Sequence, residues 1–201
     1  MAEIAAVVLA AGAGSRYRDS GAQGPKQLAS IHGRPMLQLA IDRVSQLPLK
    51  AVYTVLGYSW QSIADNICNT EVLINSNWQR GLGSSIALAT TEITRRQPSC
   101  QGLLFVLADQ PVLGSEQLTE ILQLFNGHQP ICASYKGSIG VPALFPQKMF
   151  STLKGLSADF GAKAVLQSMR ESLITVPMPA AALDIDTVED LQRLKAQQLV
   201  D

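Results

Sequence analysis

The chain has 201 residues, 47% of them hydrophobic, and its 16 basic and 16 acidic residues cancel to a net charge of zero. This length and composition fit one domain, 1–201, with a large core, and the scattered basic residues exclude duplex nucleic acid and an anionic membrane as evident partners in favour of a small-molecule site. No uncharged apolar run approaches the roughly 18 residues of a membrane span and no leader-type segment opens the chain, so a cytoplasmic protein is expected. Residues 4–10 form a short apolar run that reads as a buried strand, and the Gly/Ser/Gln/Pro-rich stretch that follows to Gln27 reads as a long loop of the kind that usually carries function. Pro35 at a first helical position introduces Leu37, Ala40, Ile41, Val44 and Leu47 at helical spacing. A strand at 51–56, a helix opened by Ser59, a strand at 72–74 and a helix over 84–96 complete the first half.

The second half opens with the apolar run 103–107, a central strand covered on both faces that stops at Ala108-Asp109-Gln110-Pro111. Ser115 is placed to cap a helix carrying Leu118, Ile121, Leu122 and Phe125, and short strands are expected at 131–134, 143–145 and 173–176. A last helix follows Asp186-Thr187, where Thr187 and Asp190 have capping-box spacing with Asp in place of Glu. The alternation predicts an α/β fold with a mostly parallel central sheet between helical layers, and in such sheets ligands bind beyond the carboxyl ends of the strands.

Two strands therefore end in candidate chemistry at one rim. The turn Leu9-Ala10-Ala11-Gly12-Ala13-Gly14-Ser15-Arg16 lets backbone N–H groups approach an anion without an intervening Cβ, although a purely structural turn has the same composition. It lacks the third glycine of the dinucleotide fingerprint, and Gly24-Pro25-Lys26-Gln27 lacks the spacing and hydroxyl of a P-loop. Arg16 and Lys26 can add charge to a phosphate site. Asp109 is either a turn-former beside Pro111 or a Mg²⁺ ligand, and Asp186 is either a helix cap or a second ligand; one or two carboxylates suffice when phosphate oxygens complete the shell. The segment from Asn75 through Trp78 and Arg80 to Gly83, Ser84 and Ser85 can touch base and ribose, or is a loop ending in a serine cap. Cys68, Cys100 and Cys132 have no CxxC spacing and suit a reduced compartment, while His32 and His128 lack ligand spacing.

Taken in order, LAAGxGSR at 9–16, PKQL at 25–28, Gly33-Arg34-Pro35-Met36-Leu37, the GLGSS run ending at Ser85, Leu107-Ala108-Asp109-Gln110-Pro111, Asp159-Phe160-Gly161-Ala162 and the acidic motif at 184–191 make a pattern. The chain resembles the MobA-like NTP transferases, and within them the molybdenum cofactor cytidylyltransferases, which transfer CMP to the phosphate of the molybdenum-bound pterin. The resemblance implies a three-layer Rossmann-like nucleotidyltransferase fold. It implies that Leu9, Ala10, Ala11, Gly12, Gly14, Ser15, Arg16, Lys26, Asn75, Gly83, Ser84, Ser85 and Asp109 contact the nucleotide, with Arg16, Lys26 and Asp109 catalytic. It further implies Mg²⁺ on Asp109 and on Asp186 or Asp184, CTP and the molybdenum-pterin as substrates, and a molybdenum hydroxylase as recipient of the product. The Ala10-Ala11 pair is what favours CTP over GTP. Ala108 and Val141 depart from the glycine and histidine usual at those positions, and both bear on the acceptor. Rival readings are a guanylyl- or cytidylyltransferase with another phosphate acceptor, and a non-catalytic carrier that delivers the cofactor.

Overall fold

The computed structural model describes residues 2–157, 162–169 and 172–197. Its strands are β1 (Ile4–Leu9), β2 (Ser30–Ile31), β3 (Arg34–Pro35), β4 (Ala51–Leu56), β5 (Glu71–Ile74), β6 (Gly102–Leu107), β7 (Ile131–Tyr135), β8 (Ser138–Pro146) and β9 (Ile174–Pro177). Seven of them form one sheet in the order β5-β4-β1-β6-β8-β7-β9, and β2 and β3 make a separate hairpin. The ladders are parallel from β5 through β4 and β1 to β6 and between β7 and β9; within this seven-stranded sheet β8 alone runs against its neighbours. The expected mostly parallel α/β architecture is therefore present.

β1 explains the layering. All six of its residues are buried, and a period of two sends successive side chains to opposite faces. Ala5, Val7 and Leu9 pack with Ile86, Ala89 and Ile93 of α4 (Leu82–Arg96), together with residues of α6 (Phe150–Lys154) and α7 (Ala162–Ser168). Ile4, Ala6 and Val8 pack with Leu37 and Ile41 of α2 (Met36–Ser45), Ile63 of α3 (Trp60–Ala64) and Leu118 of α5 (Ser115–Gln123). A run buried on both faces must be apolar throughout, which is the pattern the sequence carries. A smaller cluster joins Tyr17 of α1 (Ser15–Asp19), Ile31, Met36 and Leu39 to Ile185, Leu191 and Leu194 around α8 (Val188–Gln197). It docks the last helix beside the stretch after β1.

Several boundaries differ from the sequence expectation for identifiable reasons. The expected loop to Gln27 contains α1, which buries only Tyr17, and a 3-10 turn at Lys26–Leu28. Pro35 is paired in the β2–β3 hairpin with extended backbone, and α2 starts one residue later. Helix α4 starts at Leu82, so Ser84 is inside its first turn rather than capping it. Ser59 precedes α3 with left-handed backbone and makes no side-chain cap. Gly114, not Ser115, precedes α5, and its N–H donates to Gln117 Oε1 at 2.8 Å. β8 is longer than 143–145 and is bulged: Cys132 faces Ala143 whereas Ala133 faces Gly140, which accommodates Pro142 within a strand. The β6 ladder to β8 ends at Phe105 and Ala143, while the β7–β8 hairpin runs on to Tyr135 and Ser138. Asp159, Phe160 and Gly161 lie outside the described residues, and α7 begins at Ala162. No described helix is long and apolar enough to cross a membrane.

Candidate active site

β1 and β6 are hydrogen-bonded neighbours, so the turns at their carboxyl ends share one rim. Ala108 N–H donates to Leu9 O at 3.2 Å, tying the two together. Among the described residues, no acceptor meets the N–H groups of Ala11, Gly12, Ala13 or Gly14. Four such donors in one turn leading into a helix have the chemistry to meet an anion. Gly14 has φ +57°, and a Cβ there would lie 2.9 Å from Lys26 Cβ, so both backbone and packing require glycine.

The charged groups converge from three places in the chain. Lys26 opens the 3-10 turn and is buried; its ammonium donates to Asp109 Oδ2 at 2.6 Å and to Asp186 Oδ1 at 3.0 Å. Arg16, from exposed α1, pairs with Asp186 Oδ2 at 2.7 Å. Ile185 N–H donates to Asp109 O at 3.0 Å, fixing the acidic segment against the end of β6. Capping of α8 falls to other groups: Thr187 N–H and Oγ1 donate to Asp190 Oδ2 at 2.9 and 2.8 Å, and Asp190 N–H donates to Thr187 Oγ1 at 3.1 Å. The Asp186 carboxylate is thereby left to face Lys26 and Arg16. Asp184 lies elsewhere, on a second cavity, where burial and the nearby Asp109 carboxylate push its carboxyl above the ordinary range.

A cavity of about 230 Å³ opens beside this cluster, walled by Leu9, Ala10, Ala11, Gly12, Gly14 and Lys26 on one side and by Trp78, Gly81, Leu82 and Ser85 on the other. Asp109 closes one end, and a groove continues past it along Ser15, Arg16 and Asp186. Asn75, Gly83 and Ser84 do not line it. Asn75 is buried, and its amide donates to Ser84 Oγ and Ser85 Oγ at 2.9 Å each while its Oδ1 accepts from Asn77 N–H at 3.0 Å. That network builds the loop which presents Trp78. Trp78, Gly81 and Leu82, from the segment expected to touch base and ribose, are wall residues, and so is Gln27 of the PKQL run, to which the residues alone assign no ligand role.

Among the described residues no three His, Cys, Asp or Glu side chains cluster as a metal cage. Two carboxylates beside an anion-binding turn instead fit a hard cation that takes the rest of its oxygens from phosphate and water. The buried Asp109 Oδ1 has no hydrogen-bond partner among the described residues, which leaves an oxygen for such a cation.

A mostly parallel sheet that carries a glycine-rich turn, a cluster of paired charges and a cavity at its carboxyl rim suits nucleotidyl transfer. Residues 6–173 match the MobA-like NTP transferase domain, and the chain belongs to that family. It is similar to the bifunctional protein GlmU of Bacillus cereus strain AH187, 28% identical over 118 residues, or 59% of this chain and 24% of that protein. The chain thus spans about a quarter of the length of the curated relatives it matches. Among solved structures, Rv0371c of Mycobacterium tuberculosis H37Rv is 24% identical with a TM-score of 0.82, covering 96% of this chain and 98% of that one. The manganese complex of Rv0371c gives a TM-score of 0.76 over the same shares. A nucleotidyl transferase from Methanothermobacter, Mth528, is 20% identical with a TM-score of 0.82 over 98% of both chains. At these identities the structures establish the fold.

Proposed function

We propose that this chain transfers CMP from CTP to the phosphate of the molybdenum-pterin cofactor and releases pyrophosphate. The observation that carries the proposal is the convergence of Lys26, Asp109, Asp186 and Arg16 beside four turn N–H groups that have no acceptor among the described residues. The turn holds the triphosphate, an oxygen of the acceptor phosphate attacks the α-phosphorus, and the bond from that phosphorus to the bridging oxygen breaks as pyrophosphate leaves. The nucleophile is already anionic, so no side chain has to remove a proton from it. Lys26 and Arg16 neutralise charge that moves onto the leaving group. Asp109 and Asp186 would hold Mg²⁺, whose chemistry there is charge neutralisation on phosphate oxygens. The manganese complex of Rv0371c supports a divalent ion at a site on this fold.

Ala10 and Ala11 line the first cavity, and this pair is the feature by which the resemblance favours CTP over GTP. A second cavity of about 410 Å³ shares Leu82 with the first; its wall is largely apolar and carries Lys136 and Lys163, two cations suited to the phosphate of an acceptor. The protein would act in the cytoplasm and hand its product to a molybdenum hydroxylase. Pyrophosphate release with CTP, GTP and ATP, each with and without molybdenum-bound pterin, tests the reading. Release with CTP and pterin alone is expected. Release with GTP, or with a sugar phosphate in place of the pterin, would transfer the assignment to a sister activity, and cofactor binding without release would make the chain a carrier.

A further inference from the structure

We infer that Gln27 is the positioning residue of the glycine-rich turn, aligning its N–H donors before the nucleotide arrives; this rests on the reading that the turn holds the triphosphate. Gln27 is buried, and its Nε2 donates to Ala10 O and to Gly12 O, both at 2.7 Å, across 17 and 15 residues of chain. Both amide hydrogens are thus committed to the two carbonyls of one turn. The carbonyl and N–H of a trans peptide point in opposite directions. Holding the carbonyls of Ala10 and Gly12 toward Gln27 therefore turns the N–H groups of Ala11 and Ala13 away from it, and those are among the donors that have no partner.

The other amide atom fixes the orientation. Gln27 Oε1 is buried with no hydrogen-bond partner among the described residues, and a flipped amide would set it against two carbonyl oxygens. The chain keeps an unpaired buried acceptor so that the donors face the turn, and unpaired buried groups of this kind mark functional demands. The same 3-10 turn that delivers Lys26 to the carboxylates delivers Gln27 to the glycine-rich turn. Cation and donor alignment therefore arrive on adjacent residues. A carboxylate in place of the amide would repel both carbonyls, whereas a protonated carboxyl could donate to one of them, and burial favours the protonated form.

The test is CTP affinity, by titration calorimetry with the full chain, for the unaltered protein, Gln27→Met and Gln27→Glu, from about pH 8 to about pH 6. Gln27→Met is expected to bind about tenfold more weakly at every pH. Gln27→Glu is expected to match it at high pH and to recover toward the unaltered protein as pH falls, which a role limited to packing would not produce. CTP binding by Gln27→Met equal to that of the unaltered chain would overturn the proposal. So would a Gln27→Glu affinity, relative to the unaltered chain, that does not change with pH; this arm stands even if the Met variant fails to fold. Failure of the unaltered chain to bind CTP would instead overturn the reading of the turn, and the role of Gln27 with it.

Discussion

The ammonium of Lys26 lies 2.6 Å from Oδ2 of Asp109 although 83 residues separate them, and it bridges onward to Asp186 at 3.0 Å. A univalent cation thus sits on the two carboxylates that suit a divalent one. Replacing Lys26 by Met frees those oxygens. Mn²⁺ binding without nucleotide, followed by electron paramagnetic resonance, should then tighten about tenfold, while pyrophosphate release falls about a hundredfold for loss of a phosphate contact. Unchanged Mn²⁺ affinity would separate the carboxylates from any metal role.

Asp109→Ala removes a partner from that cluster without touching the core. The side chain is partly exposed, so the variant should fold, while pyrophosphate release should fall at least about a hundredfold. Near-normal turnover would sink the assignment of Asp109.

The two glycines of the turn should behave differently on substitution by alanine. Gly14→Ala forces a left-handed residue and meets Lys26 Cβ at 2.9 Å, so about 1–2 kcal/mol of stability should be lost with the nucleotide affinity. Gly12 has no atom within 4 Å of an added Cβ. Its alanine variant should keep its melting temperature and lose affinity only, because the methyl projects into the space the phosphates would take. Equal melting temperatures for both variants would contradict the geometry.

Asn75→Ala tests the loop opposite. Loss of two donated bonds and one accepted bond at a buried amide should cost about 1–3 kcal/mol. Trp78 should report it, since its backbone N–H donates to the backbone carbonyl of Asn75 at 3.3 Å, on the same loop, and its ring meets Tyr58 edge-on at 5.7 Å. An unaltered emission spectrum together with unaltered stability would remove Asn75 from the loop's framework.

What could be read from the residues follows from the range of each interaction. β1 and β6 were legible because burial on two faces demands an unbroken apolar run, and the Gly-rich and Asp-Gln-Pro segments that stop them are local signals. α1 was not, because five residues that bury only Tyr17 have no periodicity to detect. β8 was read as three residues because Gly140 and Pro142 interrupt it, and its bulge depends on β7. Asn75 looked like a ligand because a polar residue before a helix can face either a substrate or its own loop; only the fold shows that its amide turns inward. Composition suggested Lys26, Asp109 and Asp186 separately. The pairing of Lys26 with Asp186 spans 160 residues and is created by the small cluster of Tyr17, Ile185 and Leu191, which no local pattern encodes.

The sulfur chemistry predicts an alkaline limit to stability. Burial pushes the Cys132 thiol up to about 11 from an ordinary 9.0, and burial also raises Cys100. Well below pH 9 both thiols are protonated in the folded and the unfolded chain, so their contribution is complete and flat. Above it the unfolded chain releases protons that the folded chain retains, so stability falls as pH climbs toward the folded value of Cys132, by about 2–3 kcal/mol for a shift of this size. Urea midpoints should therefore be level from about pH 7 to about pH 8.5 and drop by about pH 10. Cys132→Ala should flatten that drop while lowering the neutral plateau through the small void it leaves. A thiol reagent at neutral pH should titrate exposed Cys68 in the native protein and reach buried Cys100 and Cys132 only on unfolding. Native labelling of all three, or an alkaline drop unchanged in the alanine variant, would contradict the burial of Cys132 against the sheet.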